Sequence, residues 1–140
     1  MIVLDTNVLS ELTRARPEPS VLAWLDGCDP EELATTAITV AELCFGIELL
    51  PSGRRKDEIR TAVFEILNEE LGIEPFDEPA ARAYAEPAAQ RRQAGEPVSF
   101  ADGQIAAICR SLGATLATRN VDDFAGFGIN VVNPWTHPSE

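Results

Sequence analysis

The chain has 140 residues, 45% of them hydrophobic, with 11 basic against 23 acidic side chains and a formal net charge of −12. That length makes residues 1–140 a single domain, able to bury roughly two-thirds of its unfolded surface, and leaves no room for a second. One histidine and three cysteines without paired spacing exclude a zinc motif, a Ser/His/Asp triad and a two-histidine nuclease mechanism.

Cys28, Cys44 and Cys109 read as reduced, mostly buried thiols. His137 lies in the Pro-flanked tail Trp135-Thr136-His137-Pro138 and reads as a solvated residue. No apolar stretch approaches the roughly 20 residues needed to span a bilayer, and no charged leader precedes a cleavage site. A cytoplasmic protein without a membrane partner is expected.

In chain order, Met1-Ile2-Val3-Leu4 is a continuous apolar run, which predicts a strand buried on both faces. Asp5 ends it and is expected to open a loop, capping nothing. Pro17-Glu18-Pro19-Ser20 breaks the first helix and leads into a second over residues 21–25, stopped by Gly27 and Asp29-Pro30. The run Thr36-Ala37-Ile38-Thr39-Val40-Ala41 is strand-like and passes into a helix carried by Leu43, Ile47 and Leu50, with Glu42 in its first turn. Pro51-Ser52-Gly53 separates it from an amphipathic helix over residues 54–71. This pair offers a groove for a partner helix or a dimer surface, against the simpler reading of both apolar faces as core.

Ile73-Glu74-Pro75-Phe76 predicts a short strand, followed by a helix over residues 78–93 ending near Gly95. The loop Gly95-Glu96-Pro97-Val98 delivers Ser99 and Asp102 to a helix whose stripe of Ile105, Ala106, Ile108, Cys109 and Leu112 ends at Gly113. Thr115-Leu116-Ala117-Thr118 predicts a strand that places Asn120 and Asp123 near the same edge, and residues 129–132 close the sheet. The alternation implies right-handed crossovers and an α/β fold of three layers, α/β/α, around a mainly parallel sheet of four or five strands.

Four acids, Asp5, Glu42, Asp102 and Asp123, fall where strand-like runs meet helix starts, and α/β folds bind ligands at the carboxyl ends of their strands. Thr39-x-x-Glu42 and Ser99-x-x-Asp102 each also fit a capping box. Three converging carboxylates raise one another's pKa unless a cation joins them, and Mg²⁺ or Mn²⁺ uses their oxygens as hard ligands. With Lys56 the only lysine and most arginines in polar stretches, a metal is the simpler counter-charge.

The opening Met1-Ile2-Val3-Leu4-Asp5-Thr6-Asn7-Val8-Leu9-Ser10-Glu11, the segment Ile38-Thr39-Val40-Ala41-Glu42-Leu43 with Gly46, Asp77-Glu78, Ala101-Asp102 with Ile105-Ala106-Ala107, Leu116-Ala117-Thr118-Arg119-Asn120 and Asn133-Pro134-Trp135 together resemble PIN-domain ribonucleases of the VapC toxin type, close to the FitB branch. The resemblance spans nearly the whole chain. It implies a toxin of a type II toxin–antitoxin system that hydrolyses RNA phosphodiester bonds, with Asp5, Glu42 and Asp102 holding Mg²⁺ or Mn²⁺. Asp5 and Asp102 would ligate directly, and Glu42 through water or as the base toward the attacking water. Thr6, Asn7 and Thr118 are candidates for orienting the acids.

The sequence departs from part of the family two residues after Thr118, where Asn120 replaces an Asp frequent in the FitB branch. Asn120 offers an amide oxygen there, and Asp123 a charge three residues on. The resemblance further implies inhibition by a cognate VapB- or FitA-like antitoxin whose C-terminal segment places a basic side chain in the acidic site. A homodimer, a larger assembly with the antitoxin and DNA binding only through the antitoxin are expected with it.

The charge of −12 opposes a phosphate backbone. Metal would offset the site's acids, and Arg14, Arg16, Arg54, Arg55, Arg91, Arg92 and Arg119 are candidates for local basic rims, against a plain solvated surface. Two other readings are a non-catalytic PIN-fold binding module and a haloacid-dehalogenase-type phosphohydrolase. The latter wants a second Asp where Asn7 stands and a downstream lysine. A response-regulator receiver likewise lacks its late lysine.

Overall fold

The computed structural model describes residues 1–68 and 71–137. Five strands, β1 (Ile2–Leu4), β2 (Leu33–Thr36), β3 (Gly72–Glu74), β4 (Thr115–Ala117) and β5 (Val131–Val132), form one sheet in the order β3-β2-β1-β4-β5. Every neighbouring pair is parallel. Six helices accompany them: α1 (Thr6–Leu12), α2 (Pro19–Asp26), α3 (Ala37–Leu49), α4 (Arg54–Asn68), α5 (Glu78–Gln93) and α6 (Phe100–Leu112).

Side chains alternate across a strand, and β1 uses this to feed two cores. Leu4 packs with Val8, Leu9, Val21, Leu43 and Val63 from α1 to α4, whereas Val3 packs on the other face with Ile105, Ala106 and Cys109 of α6 and with Phe124 and Phe127. In β4 Ala117 and Leu116 divide in the same way. Helices thus cover both faces, which is why β1 reads as an unbroken apolar run. The chain moves from β1 outward to β3, then crosses to β4 on the other side. The sequence order therefore reverses between β1 and β4, and a crevice opens at their carboxyl ends.

Several boundaries differ from the sequence reading. Asp5 opens no loop: it is the N-cap of α1, and its side chain accepts from the Thr6 amide. α1 stops at Leu12, well short of Pro17. α3 begins at Ala37, because Thr36 Oγ1 caps it by accepting from the Thr39 amide at 3.1 Å. The strand therefore lies upstream, and Glu42 sits beyond the first turn, clear of any capping box. The β-branched residues of 36–40 mimic a strand, but burial of Thr39, Leu43 and Ile47 along one face favours helix.

α4 ends at Asn68; of its expected continuation, Glu69 and Glu70 lie outside the described residues, and Leu71 is not helical. α6 has no strand before it, only the loop from Gly95, and ends as expected on left-handed Gly113. Of the thiols, all free, only Cys109 is buried. Burial, with the charge of Asp5 added, pushes its pKa up to about 12. His137 is exposed. No described helix is long and apolar enough to cross a membrane.

Candidate functional site

Asp5 sits at the crevice because β1 ends there, its amide donating to Ala117 O at 3.0 Å across to β4. The side chain is 4% exposed, and a buried carboxylate must be satisfied by donors. Oδ1 accepts from the Thr6 amide at 2.8 Å, and Oδ2 accepts from the Thr118 hydroxyl at 2.7 Å and from Asn7 Nδ2 at 3.4 Å. Thr118 directly follows β4, and its Oγ1 also accepts from Asn7 Nδ2 and from the Asn120 amide. Asn7 Oδ1 accepts from the Arg119 amide at 3.2 Å. The start of α1 and the loop after β4 are thereby stitched together around one carboxylate.

Glu42, exposed on α3, reaches the same crevice through Thr6, whose hydroxyl donates to Glu42 Oε1 at 2.8 Å. Thr6 Oγ1 also lies 3.2 Å from Thr39 Oγ1, which lies 3.4 Å from Thr36 Oγ1. Thr6 has one proton and gives it to Glu42 Oε1, so Thr39 donates to Thr6 and Thr36 to Thr39. Asp102 enters from the start of α6, where Ser99 Oγ accepts from its amide at 3.2 Å. Here the capping pattern does describe the backbone. Gly103 beside it allows α6 to approach α5, since a Cβ there would lie 2.5 Å from Tyr84 Cε2.

Asp5, Thr6, Asn7, Ser10, Glu11, Arg14, Glu42, Asp102, Arg119, Asn120 and Trp135 line one cleft of about 460 Å³. Asp123 does not. It lines a neighbouring hollow with Asn120 and Asp122, close enough for its charge to act on Asp102. Of the two candidates for the fourth position, Asn120 is therefore in the cleft and Asp123 beside it.

Crowding falls on two of the acids. Burial, the largest cause, raises the Asp5 pKa to about 6 against the Thr118 and Thr6 hydrogen bonds, with the charges of Asp102 and Glu42 raising it further. Burial, Asp123 and Glu42 likewise raise Asp102, while Ser99 and Arg91 lower it. Among the described residues none of these three acids is in an ion pair. The two arginines of the cleft are engaged by other residues of its lining: Arg14 Nη1 pairs with Glu11 at 3.3 Å, and the Arg119 guanidinium lies over the Trp135 ring, 5.1 Å from its centroid.

The donors offered are all oxygens, the kind Mg²⁺ and Mn²⁺ prefer. Among the described residues no three acidic, histidine or cysteine side chains close into a ready-made ligand set, so the expected convergence on one point is looser than the sequence reading implied. Such an arrangement suits Mg²⁺, which commonly takes one or two carboxylates and completes its octahedron with waters and substrate phosphate.

Sequence reasoning passed over Ser10 and Glu11. Glu11 is 5% exposed, and besides Arg14 it accepts from the Glu18 amide at 3.2 Å, tying the segment after α1 to the cleft wall. The signal was available: Asn7, Ser10, Glu11 and Arg14 recur at the spacing of one helical face.

Residues 2–128 match the PIN domain family. The chain is 44% identical over 137 residues to the VapC ribonuclease Y4jK of Sinorhizobium fredii, covering 96% of this chain and 98% of that one. It is 42% identical over 137 residues to toxin FitB of Neisseria gonorrhoeae, covering 96% and 99%. Among solved structures, FitAB bound to the IR36 DNA fragment superposes with a TM-score of 0.85 at 37% identity, covering 99% of this chain and 98% of that one. The chain belongs to the PIN-domain family. Within it, its near relatives are VapC and FitB proteins, and membership excludes the haloacid-dehalogenase reading.

Proposed function

We propose that this protein is the toxin of a VapBC/FitAB-type toxin–antitoxin system and a Mg²⁺- or Mn²⁺-dependent endoribonuclease. The observation that carries this is Asp5: a carboxylate 4% exposed at the carboxyl end of the central strand, with the charges of two other acids upon it and, among the described residues, no basic side chain paired to it. A cation relieves that arrangement. The names of the relatives, a ribonuclease and a toxin, give the substrate class and biological role.

Asp5 and Asp102 would hold the ion, with Glu42 within reach through a water. When bound, such an ion lowers the pKa of a water and offsets charge on the phosphate. The chain's own groups do the remainder. Thr118, Asn7 and the Thr6 amide hold both oxygens of Asp5 in place. Thr6 fixes Glu42 Oε1, leaving Oε2 to take a proton from the attacking water. The Asn120 amide reaches the cleft as donor or acceptor, and Arg14 and Arg119 at the rim face an incoming phosphate.

The partner is a cognate antitoxin, as the FitAB relative is a complex bound to DNA; DNA contact would come through that partner. A basic side chain of the antitoxin entering the cleft would meet the same unpaired acids. A second copy of this chain would dock on Phe45 and Leu49 of α3 and Phe100 of α6, which are 66%, 70% and 61% exposed. Sedimentation should find a dimer for the parent and a monomer for Phe45→Glu.

The test of the nuclease is RNA cutting with and without Mg²⁺ or Mn²⁺. Asp5→Asn and Asp102→Asn should each reduce cutting roughly 100-fold or more, beyond the loss typical of groups that only orient ligands, with the fold retained by circular dichroism. Full activity in both variants would refute the assignment and favour a non-catalytic binding module.

A further inference from the structure

A second hollow, of about 630 Å³, lies between the segment after α1 and the start of α4, lined by Arg14, Arg16, Arg55, Glu58 and Ile59 among others. Arg14 also lines the acidic cleft, so the two concavities share this residue. Glu11, buried in the cleft wall, pairs with Arg14 Nη1 at 3.3 Å. Arg16 and Arg55 are exposed, and their side chains make no hydrogen bond or ion pair among the described residues. The one acid of the hollow, Glu58, is engaged by Arg54 at 2.9 Å. Arg55 lies in the first turn of α4, a helix of 15 residues whose unsatisfied N-terminal amides add positive potential.

A chain of net charge −12 has only ten arginines and one lysine, yet three of the arginines gather beside the cleft where phosphate must enter. The cleft cannot attract a polyanion; its acids repel one until a cation is present. A strand that is to cross it needs anchorage outside it, at a distance a neighbouring nucleotide can span. We propose that this hollow binds the phosphate backbone of the RNA strand to one side of the scissile bond, with Arg14 at the junction and Arg16 and Arg55 contacting successive phosphates. This rests on the nuclease reading and adds to it the path of the substrate.

The test compares the parent with the double variant Arg16→Gln/Arg55→Gln. Binding of a labelled single-stranded RNA of about a dozen nucleotides, 2′-O-methylated to block cutting, is followed by anisotropy in Mg²⁺ over a range of salt. The double variant should bind about tenfold more weakly at moderate salt, and its slope of log affinity against log salt should be shallower by about 1.4, or 0.7 for each phosphate no longer neutralised by an arginine. Cutting of a short oligonucleotide that fills only the acidic cleft should be the same in both proteins, which also verifies the variant's fold. Unchanged affinity and slope in the double variant, with a parent that cuts RNA, would overturn the groove alone and leave the hollow to a protein partner. A parent unable to cut RNA in either metal would instead overturn the nuclease reading beneath it.

Discussion

On the Asp5 wall of the cleft both carboxylate oxygens are engaged, by a backbone amide, a hydroxyl and an amide side chain, and the acid is almost wholly buried. On the Glu42 wall a single hydroxyl reaches one oxygen of an exposed side chain. The first wall belongs to the sheet, where β1 and β4 end side by side; the second belongs to a helix surface and can adjust. On the proposed nuclease reading the first wall would supply the fixed ligand and the second the proton acceptor, because a buried group surrounded by donors loses little entropy on ligation while an unengaged oxygen is available for transfer.

The sharpest way to break the contrast is to remove one hydroxyl from each wall. Thr118→Val leaves the buried Asp5 Oδ2 without its 2.7 Å donor and should destabilise the metal-free protein by about 1–3 kcal/mol and reduce metal-dependent cutting roughly 10- to 100-fold. Thr6→Val keeps the Thr6 amide on Asp5 but frees Glu42 and takes away the acceptor of the Thr39 hydroxyl, so cutting should fall by less than roughly tenfold and stability by about 1 kcal/mol. Denaturant unfolding and initial rates check both. Equal effects at the two positions would show that the walls are equivalent.

A further effect, on stability alone, tests the Asp5 wall by pH. The folded-state pKa of Asp5 is raised from 3.8 to about 6, so the folded protein holds this proton more tightly than the unfolded chain. The stabilisation is therefore complete below about pH 4 and is lost as pH rises through 6, to a total of up to about 3 kcal/mol. Metal-free protein should unfold at higher temperature at about pH 5 than at about pH 8, and Asp5→Asn should remove the Asp5 share of that difference. A thermal midpoint that instead fell over this interval on acidification would contradict the burial of an unpaired carboxylate.

Much of the fold was readable along the chain because its signals are local. The apolar run of residues 1–4, the break at Gly27, the helix over 78–93 and the stop at Gly113 coincide with what the backbone does. The start of α3 was misread because β-branched residues at 36–40 satisfy both periods, and only the buried face of Thr39, Leu43 and Ile47 decides between them. That shift had a functional consequence. It moved Glu42 out of a capping box and left the cleft as the reason for its position, whereas Ser99 does cap α6 through the amide of Asp102.

The sequence by itself determined the acids, the order of strands and helices around them and the PIN-domain resemblance, since residue type and spacing are carried by the chain at every point. Only the tertiary structure decided that Thr118 rather than a basic side chain satisfies Asp5, and that Asn120 lines the cleft and Asp123 the hollow beside it. Those pairings join residues up to 113 positions apart. They exist because parallel strands from opposite ends of the chain finish at one edge of the sheet, a proximity that no local pattern encodes.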